Sequence, residues 1–130
     1  MIVMGDYNCL PDAEFDVMQI IWGQPVPISS VRIFTLAAPE KMWKPQTVLT
    51  LLTRLEKRGF LSSEKKGKER YYMPLVTREE YLNMETGLFV KRFHKNSLTG
   101  LMSALFAGGK MKEKDLSEIE KWLEKQKPES

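Results

Sequence analysis

Apolar residues recur at helical spacing in Phe15, Met18, Ile21 and Trp22, which predicts a first helix over Asp12–Trp22. Pro11 or Asp12 starts it, and Gly23-Gln24-Pro25-Val26-Pro27 ends it with two prolines. Ser29-Ser30 offers an N-cap for a short second helix, Val31–Ala37, stopped by Pro39. A third helix is expected from Pro45, a residue suited to the first helical position, to Arg58, with Gly59 as its C-terminal glycine. Val48, Leu51, Leu52 and Leu55 fall at i, i+3, i+4 and i+7, so one face of it is apolar. Thr47, Thr50 and Arg54 lie on the other side. Phe60–Glu64 and Glu69–Met73 then read as two short strands around a basic tip, Lys65-Lys66-Gly67-Lys68, with Pro74 closing the second. Three helices followed by a two-stranded hairpin spell a winged helix-turn-helix, a mostly α fold with a small β-hairpin.

From Thr77 the pattern turns purely helical. Thr77-Arg78-Glu79-Glu80 is a capping box, followed by Tyr81, Met84, Leu88, Phe89 and Phe93, then Leu98, Leu101, Met102, Leu105 and Phe106. Gly108-Gly109 breaks the pattern. A last helix is expected from Asp115, with Glu118 completing a D-x-x-E cap, through Leu116, Ile119, Trp122 and Leu123, and residues 125–130 are expected to fray. This is more apolar bulk than a piece of about fifty residues buries by itself. Packing against a second copy makes a two-fold dimer, and folding back on the winged domain is the alternative. The expected division is a DNA-binding domain over residues 1–76 and a dimerisation domain over 77–130. The interface is assigned to Tyr81, Leu88, Phe89, Phe93, Leu98, Leu101, Met102, Leu105, Leu116, Ile119 and Leu123.

Composition narrows the class. The chain has 130 residues, 42% hydrophobic and 28% charged, with enough aromatic and methionine bulk for a core. No apolar run approaches the ~18 residues of a membrane helix, and residues 1–10 lack the pattern of a signal peptide. The one cysteine, Cys9, rules out an intrachain disulfide framework and an all-cysteine metal site. A cytoplasmic protein without cofactor or metal is expected. The net charge of +3 is unevenly spread: residues 1–40 hold one basic residue against five acidic ones, whereas residues 41–70 hold nine against three. A basic segment inside a nearly balanced chain is the footprint of a polyanion-binding surface.

That segment contains the predicted third helix and hairpin. A major groove admits one helix, whose first turns face the base edges. Gln46 has the geometry to pair with adenine, Thr47 and Thr50 to set a methyl against thymine, and Arg54 to meet guanine or a phosphate. Lys65, Lys66 and Lys68 suit backbone contact, although a lysine-rich tip also serves solubility alone. Arg70 and Tyr72 are assigned to steadying the wing on the phosphates, with Tyr71 turned into the core; strand alternation also allows the reverse. Trp22 and Trp43 are expected to be packing anchors, His94 a surface or interface residue, and Cys9 a silent thiol. No glycine-rich phosphate loop, no G-x-S-x-G and no histidine beside a nucleophile suggests an enzyme.

Several of these segments are similar to a known family. Residues 12–22 resemble the first helix of the penicillinase and methicillin-resistance repressors (the BlaI/MecI/CopY family). Trp43-Lys44-Pro45-Gln46-Thr47-Val48 and residues 52–61 resemble its recognition helix and the turn into the wing, and Arg70-Tyr71-Tyr72-Met73-Pro74 its return strand. Arg92-Phe93 and residues 116–123 look like its dimerisation helices. The resemblance implies a repressor that binds as a homodimer to an inverted-repeat DNA operator with TACA/TGTA half-sites, under an upstream sensor and protease system. Two departures stand out. The Asn-Phe bond cleaved in the beta-lactam-responsive branch aligns with Ala104-Leu105, and the C-terminal cysteine motif of the copper-responsive branch is absent. Neither inducing signal carries over. Lys44 stands where the family has serine, at an N-cap position where lysine opposes the helix dipole and a bound phosphate relieves the opposition. A winged helix used for protein contact, or an architectural DNA-binding module, is the alternative reading.

Overall fold

The computed structural model describes residues 9–127. Along them run α1 (Asp12–Trp22), β1 (Ile28–Ser29), α2 (Ser30–Lys41), α3 (Pro45–Lys57), β2 (Leu61–Lys66), β3 (Glu69–Pro74), α4 (Arg78–His94), α5 (Leu98–Ala107) and α6 (Glu113–Gln126). The chain divides into two compact units, with the boundary between Glu85 and Thr86 inside α4.

In the first unit α1, α2 and α3 pack on one another, and an antiparallel sheet of order β1-β3-β2 closes the group. Val17, Met18, Ile21, Ile33, Val48, Leu52, Leu55, Phe60 and Tyr81 form its core. The structure is a winged helix-turn-helix, with one addition and several shifts from the expected elements. The sheet has a third strand, β1, which pairs Ile28 with Tyr72 and Ser29 with Tyr71. Two residues between Pro27 and a helix start are too short to show alternation. Ser29 ends that strand and caps α2, accepting the backbone N–H of Arg32 at 3.1 Å.

Helix α2 runs four residues past Ala37 and contains Pro39. A proline removes one N–H, whose intrahelical acceptor is the carbonyl of Thr35; both residues are exposed, so water can take that place. The helix ends instead at Met42, left-handed with φ 56°, whose N–H reaches the Ala38 carbonyl. Lys41 in its last turn meets Asp16 of α1 at 2.8 Å. Helix α3 ends in a Schellman motif: Phe60 N–H donates to the Leu55 carbonyl and Gly59 N–H to that of Glu56, with Gly59 at φ 84°.

The core of α1 also departs from the apolar pattern. Glu14 is buried beside Val17, Met18 and Ile21, whereas Phe15 and Trp22 are half-buried. Its carboxylate accepts from Arg58 Nε at 2.8 Å, a charge-assisted bond that makes burial tolerable and ties α1 to the end of α3. Trp22 anchors as expected, its Nε1–H donating to the Val76 carbonyl at 2.9 Å.

The first unit extends beyond residue 76. The Thr77 capping box forms in both directions, Glu80 N–H to Thr77 Oγ1 and Thr77 N–H to Glu80 Oε1, each at 3.0 Å. It launches α4 so that Tyr81 enters the core. Assigning Tyr81 to a dimer interface is therefore corrected: its ring lies among Phe15, Trp22 and Phe60.

The second unit holds the rest of α4 with α5 and α6. Ser97 caps α5, accepting the Gly100 N–H, and Gly108 and a left-handed Gly109 end it. Helix α6 begins two residues earlier than expected: Asp115 sits at N3 and accepts the Lys112 N–H at 2.9 Å, rather than acting as the cap itself. It stays helical to Gln126, into the stretch expected to fray; residues 128–130 lie outside the described residues.

Candidate nucleic-acid interface

Burial of Val48, Leu51, Leu52 and Leu55 turns the opposite side of α3 to solvent. The centre of that side is Gln46, Thr50, Thr53 and Lys57, all exposed, with Thr47 and Arg54 on one flank and Leu49 on the other. Gln46, Thr47, Thr50 and Arg54 thus stand exposed on one helix surface. Thr53, Lys57 and Leu49 are additions to the expected set, although continuing the spacing of Gln46 and Thr50 one and two turns further finds the first two. Lys44 occupies the N-cap with extended backbone (φ −80°, ψ 156°) and makes no side-chain cap bond, leaving the helix start without a protein capping group.

The wing abuts α3 where Ser63 Oγ of β2 donates to Glu56 at 2.7 Å. Its register pairs Lys65 with Arg70 and Lys66 with Glu69, so both lysines belong to β2 and only Gly67-Lys68 make the turn, with Gly67 at φ 66°. Lys65 opposite Arg70 is a like-charge cross-strand pair, an arrangement that costs stability until an anion lies over it. Arg70 Nη1 donates to Ser63 Oγ at 2.9 Å and stays exposed. Among the described residues, none of Lys44, Arg54, Lys57, Lys65, Lys66 and Lys68 is ion-paired.

The assignment of Tyr72 to this surface is corrected. Tyr72 is 4% exposed and packs in the core, opposite Ile28. Alternation takes the reverse phase: Tyr71 is the half-buried outer residue, its hydroxyl donating to Glu69 at 3.0 Å, and that carboxylate raises the phenol's pKa.

The second unit presents a different surface. No described residue after Tyr81 is buried. Leu88, Phe89 and Phe93 on α4, Leu98, Leu105 and Phe106 on α5, and Leu116, Trp122 and Leu123 on α6 are exposed; Leu101, Met102 and Ile119 are half-buried. Phe89 lies 5.0 Å from Phe93, centroid to centroid, and 5.6 Å from His94. Among the described residues no group of histidine, cysteine and carboxylate side chains could hold a metal ion, and no helix is long and apolar enough to cross a membrane.

A helix with a polar outer face, preceded by a helix-turn and followed by a basic hairpin, defines a winged helix-turn-helix protein. The family model for the penicillinase repressor matches residues 10–125, and the chain belongs to that family. It is 26% identical over 118 residues to the penicillinase repressor of Bacillus licheniformis, covering 91% of each chain. It is 28% identical over 116 residues to the methicillin resistance regulatory protein MecI of Staphylococcus aureus (strain N315), covering 89% of this chain and 94% of that one. The solution structure of the DNA-binding domain of the repressor BlaI is similar at 30% identity and a TM-score of 0.52, over 62% of this chain and 94% of that one.

Proposed function

We propose that this chain is a transcriptional repressor that binds an inverted-repeat DNA operator as a homodimer, with α3 in the major groove and the β2–β3 wing on the phosphate backbone. The observation that carries the reading is the pairing of an exposed polar helix face with wing cations that form no ion pair among the described residues, in a chain of the penicillinase repressor family. The family is one of repressors rather than enzymes. A protein-contact role suits this surface poorly, because interfaces between proteins are depleted in lysine. The apolar faces of α4, α5 and α6 supply the dimer contact, and a two-fold pair of winged helices matches a two-fold operator.

The test is selection from a random duplex library with the purified protein at near-physiological salt. An enriched inverted repeat, with half-sites about one helical turn (~34 Å) apart, supports the reading. Salt-sensitive binding without enrichment points to an architectural module, and no binding points to protein contact. Replacing Gln46 or Thr50 by alanine is expected to cost about 1–3 kcal/mol on the selected site and to relax base preference there. A loss equal on all sequences removes that residue from the reading face.

The wing is checked by salt dependence. Replacing Lys65, Lys66 and Lys68 together by alanine is expected to flatten the slope of log affinity against log salt by about 2.7, at ~0.9 for each phosphate that is no longer neutralised. An unchanged slope takes the wing off the DNA.

A further inference from the structure

Of the five branched aliphatic residues of α3, Val48, Leu51, Leu52 and Leu55 are buried and Leu49 is not. Leu49 is 42% exposed, where the core has no use for it. It lies seven residues before Glu56 and so on the same flank, the one turned toward the wing by the Ser63–Glu56 bond. Beside it, the Thr50 hydroxyl donates back to the Gln46 carbonyl at 3.0 Å and the Thr53 hydroxyl to that of Leu49 itself at 2.9 Å. A threonine whose proton is held by its own helix offers its methyl for outward contact. Within the polar outer face of α3, between Gln46 and Lys57, there is therefore one apolar strip: Leu49 with the methyl groups of Thr50 and Thr53.

In the major groove one base edge welcomes such a strip. At C5 thymine carries a methyl beside its O4 acceptor, whereas cytosine carries only a hydrogen beside its amino donor, so an apolar strip gains a buried contact on thymine alone. We infer that α3 selects its sites by thymine C5-methyl groups, with Leu49 as the residue that sets the preference. This rests on the operator-reading function proposed above and names the chemistry of the sequences it reads.

The probe is the duplex enriched from the random library, resynthesised with deoxyuridine for every thymine, which deletes the methyl and keeps every hydrogen-bonding group. The uracil copy is expected to bind about fourfold more weakly for each contacted methyl, the worth of one buried methylene-sized group. Leu49→Ala lies on the surface and leaves the core intact; it is expected to weaken binding to the thymine duplex and to shrink the thymine-to-uracil ratio. Equal binding of the two duplexes by the native protein overturns the inference while leaving sequence-specific DNA binding in place. A ratio unchanged by Leu49→Ala overturns the role of Leu49. Failure of the library to enrich any sequence removes the operator reading itself, and this inference with it.

Discussion

Replacing Tyr81 by alanine is expected to destabilise the first unit by about 3–5 kcal/mol, the range for deleting a large buried aromatic ring. The ring is fully buried, with centroids 5.6 Å from Phe15, 5.9 Å from Trp22 and 5.6 Å from Phe60. It joins α1, the turn that leads from α3 into β2, and α4 in one aromatic cluster. Its hydroxyl accepts the Leu10 N–H at 2.7 Å. Tyr81→Phe separates the two contributions: it keeps the ring and leaves the Leu10 N–H unmatched, at about 1–2 kcal/mol. Burial, followed by the neighbouring Glu85 carboxylate, pushes the phenol far above its ordinary value of 10.0. A raised folded-state pKa means that this contribution is complete below pH 10 and declines as the medium becomes more alkaline. Urea midpoints of the native, phenylalanine and alanine forms at neutral pH check the order, and the alkaline decline of the native form is to be smaller in Tyr81→Phe. An alanine form as stable as the native one shows that α4 is not anchored there.

That anchor also shows where the pattern of residues is informative and where it is not. Helices α1 and α3 and the capping box of α4 are legible because their signals are local: an apolar stripe, a proline at the start, a glycine at the end, a threonine three residues before a glutamate. The features that are not legible depend on partners distant in sequence. Glu14 looks like a solvent-facing acid until Arg58, 44 residues on, meets it. Strand β1 exists because β3 offers it a ladder, since two residues have no periodicity of their own. Tyr71 and Tyr72 are adjacent and alike, so only the register of β3 decides which enters the core. Tyr81 carries the same helical spacing as Leu88 and Phe89, yet it serves the winged unit while they stay exposed. On the outer face of α3 the polar character is plain from the sequence. Its centre lies a few residues away from the expected one, because the buried set defines the opposite direction more sharply than the polar residues do.

If the homodimer proposed above forms through α5, charge placed on the apolar face of that helix is expected to separate it and to weaken binding to the proposed operator. Leu98, Leu101, Met102, Leu105 and Phe106 follow i, i+3, i+4, i+7 and i+8, so they share one side of the helix. Leu98 is 67% and Phe106 60% exposed, more than any other large apolar residue of this helix, so changing them leaves the protomer's own packing largely untouched. Covering them by a second copy contributes on the order of 1–2 kcal/mol for each side chain, less than full burial of a large apolar group because part is already covered. A two-fold interface uses each residue twice, so Leu98→Glu with Phe106→Glu removes roughly 4–8 kcal/mol and adds four buried or repelling charges. At 1.4 kcal/mol per tenfold, the dimer dissociates at concentrations at least ~1,000-fold higher than the native one. Affinity for an inverted repeat then falls by about 100- to 10,000-fold, because the second half-site no longer gains from tethering to the first. Binding to an isolated half-site is to stay near its native value, since α3 and the wing are unchanged. Sedimentation of both proteins, with binding to whole and half operators, checks each step. A variant that keeps its dimer mass moves the interface off α5, whereas a native protein that is monomeric at every concentration removes the homodimer and leaves each winged helix to read a half-site alone.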